Sequence, residues 1–261
     1  MKLSSPFQLI KKSVDIFSKK ENFLFLIQIY SPVVIYLVLV IASSFLLAYV
    51  KNLNPILSTS LSIFAFIILL LLSVFVSASG IVAIGKIIKG DELSVRMTFQ
   101  SAWKIYWKFF VVVFLTSLII LGGSVAILVV GNLVGSLLSI GLGLTSGILN
   151  TVINIIGILL EAGTVVSLIA FIFVFTVRLA FSRFVFIDEN LGIKASLTES
   201  MNLVKGKYWA ILGRLLVFGV ASWIIRIILY QIPYGIGLVV IILCGGLFIL
   251  PSYLLFKELS A

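Results

Sequence analysis

Long apolar stretches dominate the chain, separated by short segments in which apolar residues recur at three- and four-residue steps. The apolar stretches show no two-residue alternation, which excludes barrel strands. In lipid every backbone N–H and C=O of such a stretch must be satisfied inside a helix. A hydrocarbon core of about 30 Å takes roughly twenty residues of helix. Six spans are therefore expected: residues 23–49, residues 57–84, a third beginning at Phe109, a fourth ending near Phe181, residues 208–230 and residues 237–255. Turns are expected at Lys51-Asn52-Leu53-Asn54-Pro55 and at Gln231-Ile232-Pro233-Tyr234-Gly235. The fold class is an all-α polytopic membrane protein forming a single integral membrane domain over 1–261.

Between Phe109 and Phe181 the only charged residues are Glu161 and Arg178. Two spans do not use up this stretch. The surplus, 131–157, is rich in Gly and Ser, and an extra membrane-embedded hairpin of short helices is expected there. Gly131 and Gly135, and Gly143 and Gly147, have the four-residue spacing that permits close helix contact.

The polar segments before spans one, three and five resemble one another. One constant shift aligns Leu93, Val95, Arg96, Phe99, Ala102, Ile105 and Phe110 with Leu191, Ile193, Lys194, Leu197, Ser200, Leu203 and Tyr208. The first segment follows more loosely through Ile10, Ser13 and Ile16. The pattern predicts a unit used three times, at about 1–90, 91–187 and 188–261: an amphipathic interfacial helix followed by a transmembrane hairpin. Leu191, Leu197 and Leu203 are expected on the greasy face of the third helix, and its Ser and Thr residues on the wet face. All three units enter from one side, which makes them parallel repeats.

Composition agrees with a membrane protein: 62% of residues are apolar, 11% are charged and the mean hydropathy is +1.30. The formal net charge is +10, but the basic residues cluster at the ends of apolar runs. All except Lys51 and Arg226 fall on one side of the six-span layout, which places both termini in the cytoplasm. This distribution suits anionic phospholipid headgroups and excludes nucleic acid as a partner. About twenty polar and amphipathic residues precede the first span, so it is expected to remain uncleaved. There is no histidine, and the single cysteine, Cys244, has no disulfide partner in the chain. No structural zinc site, other metal or cofactor is expected.

The stretch from Arg183 to Trp209, RFVFIDENLGIKASLTESMNLVKGKYW, resembles the signature of the YciC-like and glycerophosphoryl diester phosphodiesterase membrane-domain-like families. In those families a basic residue and apolar run lead to an acidic-Asn-Leu-Gly turn, an Ala…Ser helix, a Lys-Gly turn and a Trp opening the next span. The motif residues carried over are Asp188, Glu189, Gly192, Ser200 and Gly206. The resemblance implies a prokaryotic six-span protein of the plasma (inner) membrane. Some relatives are fused to a soluble phosphodiesterase domain; this chain has none, so that activity is not carried over.

Candidate sites follow from charge placement. Lys19, Lys20, Lys104, Lys108, Lys205, Lys207 and Trp209 are candidates for a lipid-interface or partner-binding surface. Lys205-Gly206-Lys207 reads first as a plain turn between surface helix and span, and second as a grip on a lipid phosphate. Asp188 and Glu189 are expected to start the third surface helix and to pair with Arg183 or Lys194. Glu161 and Arg226 lie within apolar spans and are candidates for an intramembrane ion pair or path. No arrangement of nucleophile, base or metal ligands supports catalysis. The expectation is a membrane module without enzymatic activity that binds anionic phospholipid or another membrane protein. A transporter or channel using Glu161 and the Gly-rich segment is the alternative.

Overall fold

A computed structural model describes residues 3–53, 55–143, 147–232 and 236–261, the side chains of 40–50, 52–53, 141–143 and 236 apart. The centres of the two expected turns, at Asn54 and at Pro233-Tyr234-Gly235, lie outside these residues, as does 144–146 in the Gly-rich stretch. Among the described residues every regular element is helical: α1 (Pro6–Ser18), α2 (Lys20–Leu53), α3 (Pro55–Lys89), α4 (Val95–Gly143), α5 (Ile148–Leu179), α6 (Ser182–Asp188), α7 (Ile193–Val204), α8 (Tyr208–Tyr230), α9 (Ile236–Leu243) and α10 (Gly245–Ser260). Six helical stretches are long and apolar enough to cross a membrane. The chain is an all-helical protein of the polytopic membrane type.

The segments before spans one and five are separate helices, α1 and α7, whereas the segment before span three runs without a break into α4. Local signals explain the boundaries. Ser5 and Gln8 form a reciprocal capping box ahead of α1, with Pro6 at its first position. Gly90 adopts a left-handed conformation, φ +73°, and the Asp91 N–H donates to the Lys86 carbonyl, ending α3 in a Schellman turn. Asn190, φ +51°, does the corresponding job after α6, and Gly206, φ +78°, between α7 and α8. Pro32 lies inside α2 and has no N–H for the Gln28 carbonyl; the Ser31 hydroxyl donates to that oxygen instead, at 2.9 Å.

The structure divides into two compact units, one comprising residues up to Val112 with Phe181–Ala261, the other Val113–Ala180. In the first, α2 and α3 pack along each other, α1 lies against α10, α9 against α2, and α7 against α6. Small residues set these contacts. α1 buries Leu9, Ser13 and Phe17; α4 buries Thr98, Ala102 and Tyr106; α7 buries Ser196, Ser200 and Val204. The expectation that the Ser residues of α7 face water is therefore corrected. Ser196 and Ser200 are its packing face, because a short side chain lets the backbone come close. The Ser196 hydroxyl is satisfied by the Gly192 carbonyl at 2.9 Å, as are Ser13 by Leu9 and Thr98 by Ser94 at 2.8 Å each. Two tyrosines reach across to α3: Tyr36 donates to the Ala65 carbonyl at 2.7 Å and Tyr106 to the Leu71 carbonyl at 3.1 Å.

In the second unit the residues expected to form an extra hairpin do not form separate short helices. Residues 131–143 continue α4 and residues 148–157 begin α5. Nothing in 131–143 stops a helix, and glycine alone costs only about 1 kcal/mol per position. Gly123 receives the Phe171 ring and Gly131 receives Thr164, so these glycines set close approach, while Gly135 faces open space.

Gly80, on α3, gives a direct test of packing. A Cβ there would overlap the Tyr30 hydroxyl, and one at Gly245 would stand 2.8 Å from the Tyr30 ring. Gly80→Ala is expected to cost about 1–3 kcal/mol, measured by equilibrium unfolding in mixed micelles. Adding Tyr30→Phe should restore part of the loss; an unchanged stability in Gly80→Ala would show that the helices do not meet there.

Candidate functional site

Sequence placed Asp188 at the start of the third surface helix. It is instead the last residue of α6, five positions before α7 begins at Ile193. Its partners are neither Arg183 nor Lys194. One carboxylate oxygen accepts from the Tyr253 hydroxyl at 2.9 Å and pairs with Lys89 at 3.2 Å; the other pairs with Lys257. The C-terminal ends of α3, α6 and α10 thus converge on one carboxylate whose side chain is 10% exposed. Beneath it Phe181, Phe184, Tyr253 and Phe256 form a continuous aromatic cluster, with the Lys257 ammonium 5.7 Å from the Phe256 ring centre. Neither Arg183 nor Lys194 stands one helical turn from Asp188, the spacing a local ion pair requires. That mismatch was the available signal that the true partners are distant in sequence.

Both chain ends meet the same region. The Ser4 N–H donates to Glu258 at 3.0 Å, and Arg214 donates to the carbonyls of Ser4 at 2.9 Å and Leu3 at 3.1 Å. The two termini therefore lie at one end of this unit, the end at which α3, α6 and α10 finish.

A second feature lies on α2. The Tyr30 ring is 6% exposed, and its hydroxyl is buried with no hydrogen-bond partner. Leaving such a group unpaired costs about 1–3 kcal/mol. Arg183, on α6, is exposed. The Arg183 guanidinium makes no hydrogen bond or ion pair among the described residues.

The remaining candidates are distributed as follows. Lys19 and Lys20 are exposed at the α1–α2 junction, Lys104 and Lys108 are exposed on α4, and Lys205 is exposed with Lys207 half-buried around the Gly206 turn. Trp103 is 66% exposed, Trp107 64% and Trp209 80%, each beside these lysines. Glu189 and Gly192 are exposed in the turn between α6 and α7, and Ser200 is buried on α7. Arg226 lies over the Phe248 ring, 5.0 Å from its centre, in the first unit. Glu161 belongs to the second, where it lines an open cleft with Asn132, Gly135, Ser136, Ser139 and Thr164.

Asp188→Asn is expected to destabilise the fold by about 2–4 kcal/mol, since it strands Lys257 beside aromatic rings. Lys89→Ala should cost about 0.5 kcal/mol, because Lys89 is 53% exposed. Equal effects in the two variants, measured by unfolding in mixed micelles, would contradict this hierarchy. Partial desolvation, followed by the carboxylates of Glu199 and Asp188, holds the Glu189 carboxyl above its ordinary range. Its folded form thus favours the proton, and stability is lost as pH rises through that raised range. Glu189→Gln should therefore raise the unfolding midpoint at pH 7 and lose that advantage below the ordinary glutamate range.

No protein-family model, curated protein or solved structure matches the chain, so these contacts themselves carry the functional reading.

Proposed function

We propose that the chain is a non-catalytic integral membrane module that gathers anionic phospholipid around one end of its helices, with another membrane protein as the alternative partner. The observation that carries this reading is the set of exposed tryptophans flanked by lysines. Trp103 and Trp107 are interleaved with Lys104 and Lys108 on α4, and Trp209 follows Lys205 and Lys207. An indole is amphipathic and settles at headgroup level, where a neighbouring ammonium meets phosphate. The three polar segments carry this chemistry as copies of one repeated unit. Their buried stripes Leu9/Ser13/Phe17, Thr98/Ala102/Tyr106 and Ser196/Ser200/Val204 recur at the same four-residue steps, and Thr98 and Ser196 are matched by the sequence shift that first suggested the repeat. On this reading both termini are cytoplasmic and the membrane is the prokaryotic plasma membrane. The resemblance to the YciC-like and glycerophosphoryl diester phosphodiesterase membrane-domain-like proteins belongs with the same reading.

A second reading, transport of a small or lipidic solute, draws on the polar cleft around Glu161. A carboxylate with Asn, Ser and Thr neighbours on an otherwise apolar helix pair is the kind of group that lines a path. In that case Glu161→Gln would abolish solute or proton flux in proteoliposomes, and wild-type flux at the level of empty vesicles would remove the transport reading.

The lipid reading is tested with the quadruple variant Lys104→Gln, Lys108→Gln, Lys205→Gln, Lys207→Gln. Each surface lysine contributes about 1 kcal/mol toward an anionic leaflet. Enrichment of phosphatidylglycerol over phosphatidylcholine, read by native mass spectrometry of the purified protein, should fall at least about tenfold. Unchanged enrichment in a folded quadruple variant would overturn the proposal.

A further inference from the structure

We infer that the cleft between the first turns of α1 and α8 is a specific site for one phosphate oxyanion, carried by an anionic phospholipid headgroup or free in solution. The site rests on the lipid-binding reading and gives it a fixed position, apart from the exposed lysines. The cleft has a volume of about 740 Å³, and Ser4, Ser5, Gln8, Trp209, Gly213 and Arg214 contribute to its wall. That is room for a headgroup, since ligand sites run from about 300 to 1,000 Å³. Arg214 is held there by three backbone carbonyls. Its Nε donates to Ser4 at 2.9 Å, one Nη to Leu3 at 3.1 Å and the other Nη to Ala210 at 2.7 Å. The guanidinium plane is thereby fixed. Three of the five N–H donors that a guanidinium carries are taken and the rest are left over. Its charge is not cancelled either, because both ion pairs among the described residues belong to Asp188.

The opposite wall is also rich in donors. The Ser5 hydroxyl oxygen accepts from the Gln8 N–H at 3.2 Å, and the Gln8 side-chain oxygen accepts from the Ser5 N–H at 3.1 Å. That reciprocal box occupies the oxygens of both side chains. Their donors, one O–H and one amide NH2, have no partner among the described residues. Glu258, the carboxylate that takes the Ser4 N–H at 3.0 Å, does not line the cleft. A cleft that offers a guanidinium, an amide and a hydroxyl, with no carboxylate in its wall, suits an oxyanion and repels a cation. The positive ends of the α1 and α8 dipoles act in the same sense. Among oxyanions, depth selects phosphate. Trp209 is 80% exposed and lines the cleft, and an indole settles at headgroup level, where phosphodiester is the abundant anion. Gly213 leaves the entrance clear, since a Cβ built on it meets nothing within 4 Å.

Two substitutions close the site without touching the Arg214 clamp. Gln8→Glu keeps the capping box, which glutamate completes as well as glutamine, and puts a carboxylate where the amide donors stood. Gly213→Leu fills the open space over that glycine and replaces a poor helix former. Native mass spectrometry of the full-length chain in detergent, with added phosphatidylglycerol, should show one lipid bound well above the rest. Each variant, folded by circular dichroism, should weaken that first step about tenfold or more, whereas the quadruple lysine variant should keep it and lose the weaker steps. If both variants lose the protection that inorganic phosphate gives against unfolding but bind phosphatidylglycerol as before, the site stands with a soluble phosphate as its ligand. If both bind both probes as the wild type does, or the wild type shows neither a preferred lipid nor protection by phosphate, the site is overturned. A first step that survives Gln8→Glu and Gly213→Leu but is lost in the lysine variant removes this site and leaves the surface reading intact. The converse, loss in these two variants with enrichment unchanged in the lysine variant, removes the surface reading and leaves the cleft. Should one of the two variants fail to fold, the other decides the matter.

Discussion

The Asp188 carboxylate is the constraint on which the larger unit depends. Three helices that end far apart in sequence are drawn to it by two ammonium groups and one phenol. α3, α6 and α10 all meet it by their C-terminal ends, so these three helices finish at one end of the unit. That carboxylate fixes their register in a way hydrophobic contact alone does not, since apolar packing has no preferred direction. The aromatic cluster below the carboxylate excludes water from one side of it. The attraction between the charges is correspondingly stronger, and the loss of any one charge is more costly.

Around that anchor the helices approach through small residues. In lipid, burial of apolar surface gives little drive for one helix to leave the bilayer for another, so close van der Waals packing must supply it. The buried Ser13, Thr98 and Ser196 answer this need, with hydroxyls satisfied by carbonyls of their own helices so that no polar group is stranded. Gly80, Gly245 and Gly246 do the same for Tyr30 and Leu26. The Val113–Ala180 unit uses Gly123 and Gly131 in this way. Most of its remaining apolar side chains are exposed, as suits a pair of helices whose solvent is lipid.

Six apolar helical stretches and the end of α8 at Tyr230 were legible because their signals are local: run length, a basic flank, a glycine after the last turn. Residues 131–157 were misread because helical glycines look like breakers in sequence, whereas in an apolar setting the backbone has no better partner than its own carbonyls. The partners of Asp188 were not legible. Lys89 and Lys257 each close a span, and in sequence that task accounts for a lysine without any carboxylate. Tyr30 was equally hidden, since a tyrosine in an apolar run gives no sign of whether its hydroxyl finds a partner. The serine stripe of α7 was read backwards, because hydropathy ranks serine as polar while packing ranks it as small.

These differences bear on electrostatics. The chain carries 19 basic against 9 acidic residues, and both ion pairs among the described residues use the same carboxylate. Most of the positive charge is therefore left for the surroundings to balance. Exposed lysines do so weakly and without selecting one lipid, as point charges on flexible stems in a high dielectric. The exposed indoles of Trp103, Trp107 and Trp209 supply what the lysines lack. A rigid, amphipathic ring settles at one depth, so the ammonium groups beside it are held at the level of the phosphates rather than ranging through the water above them.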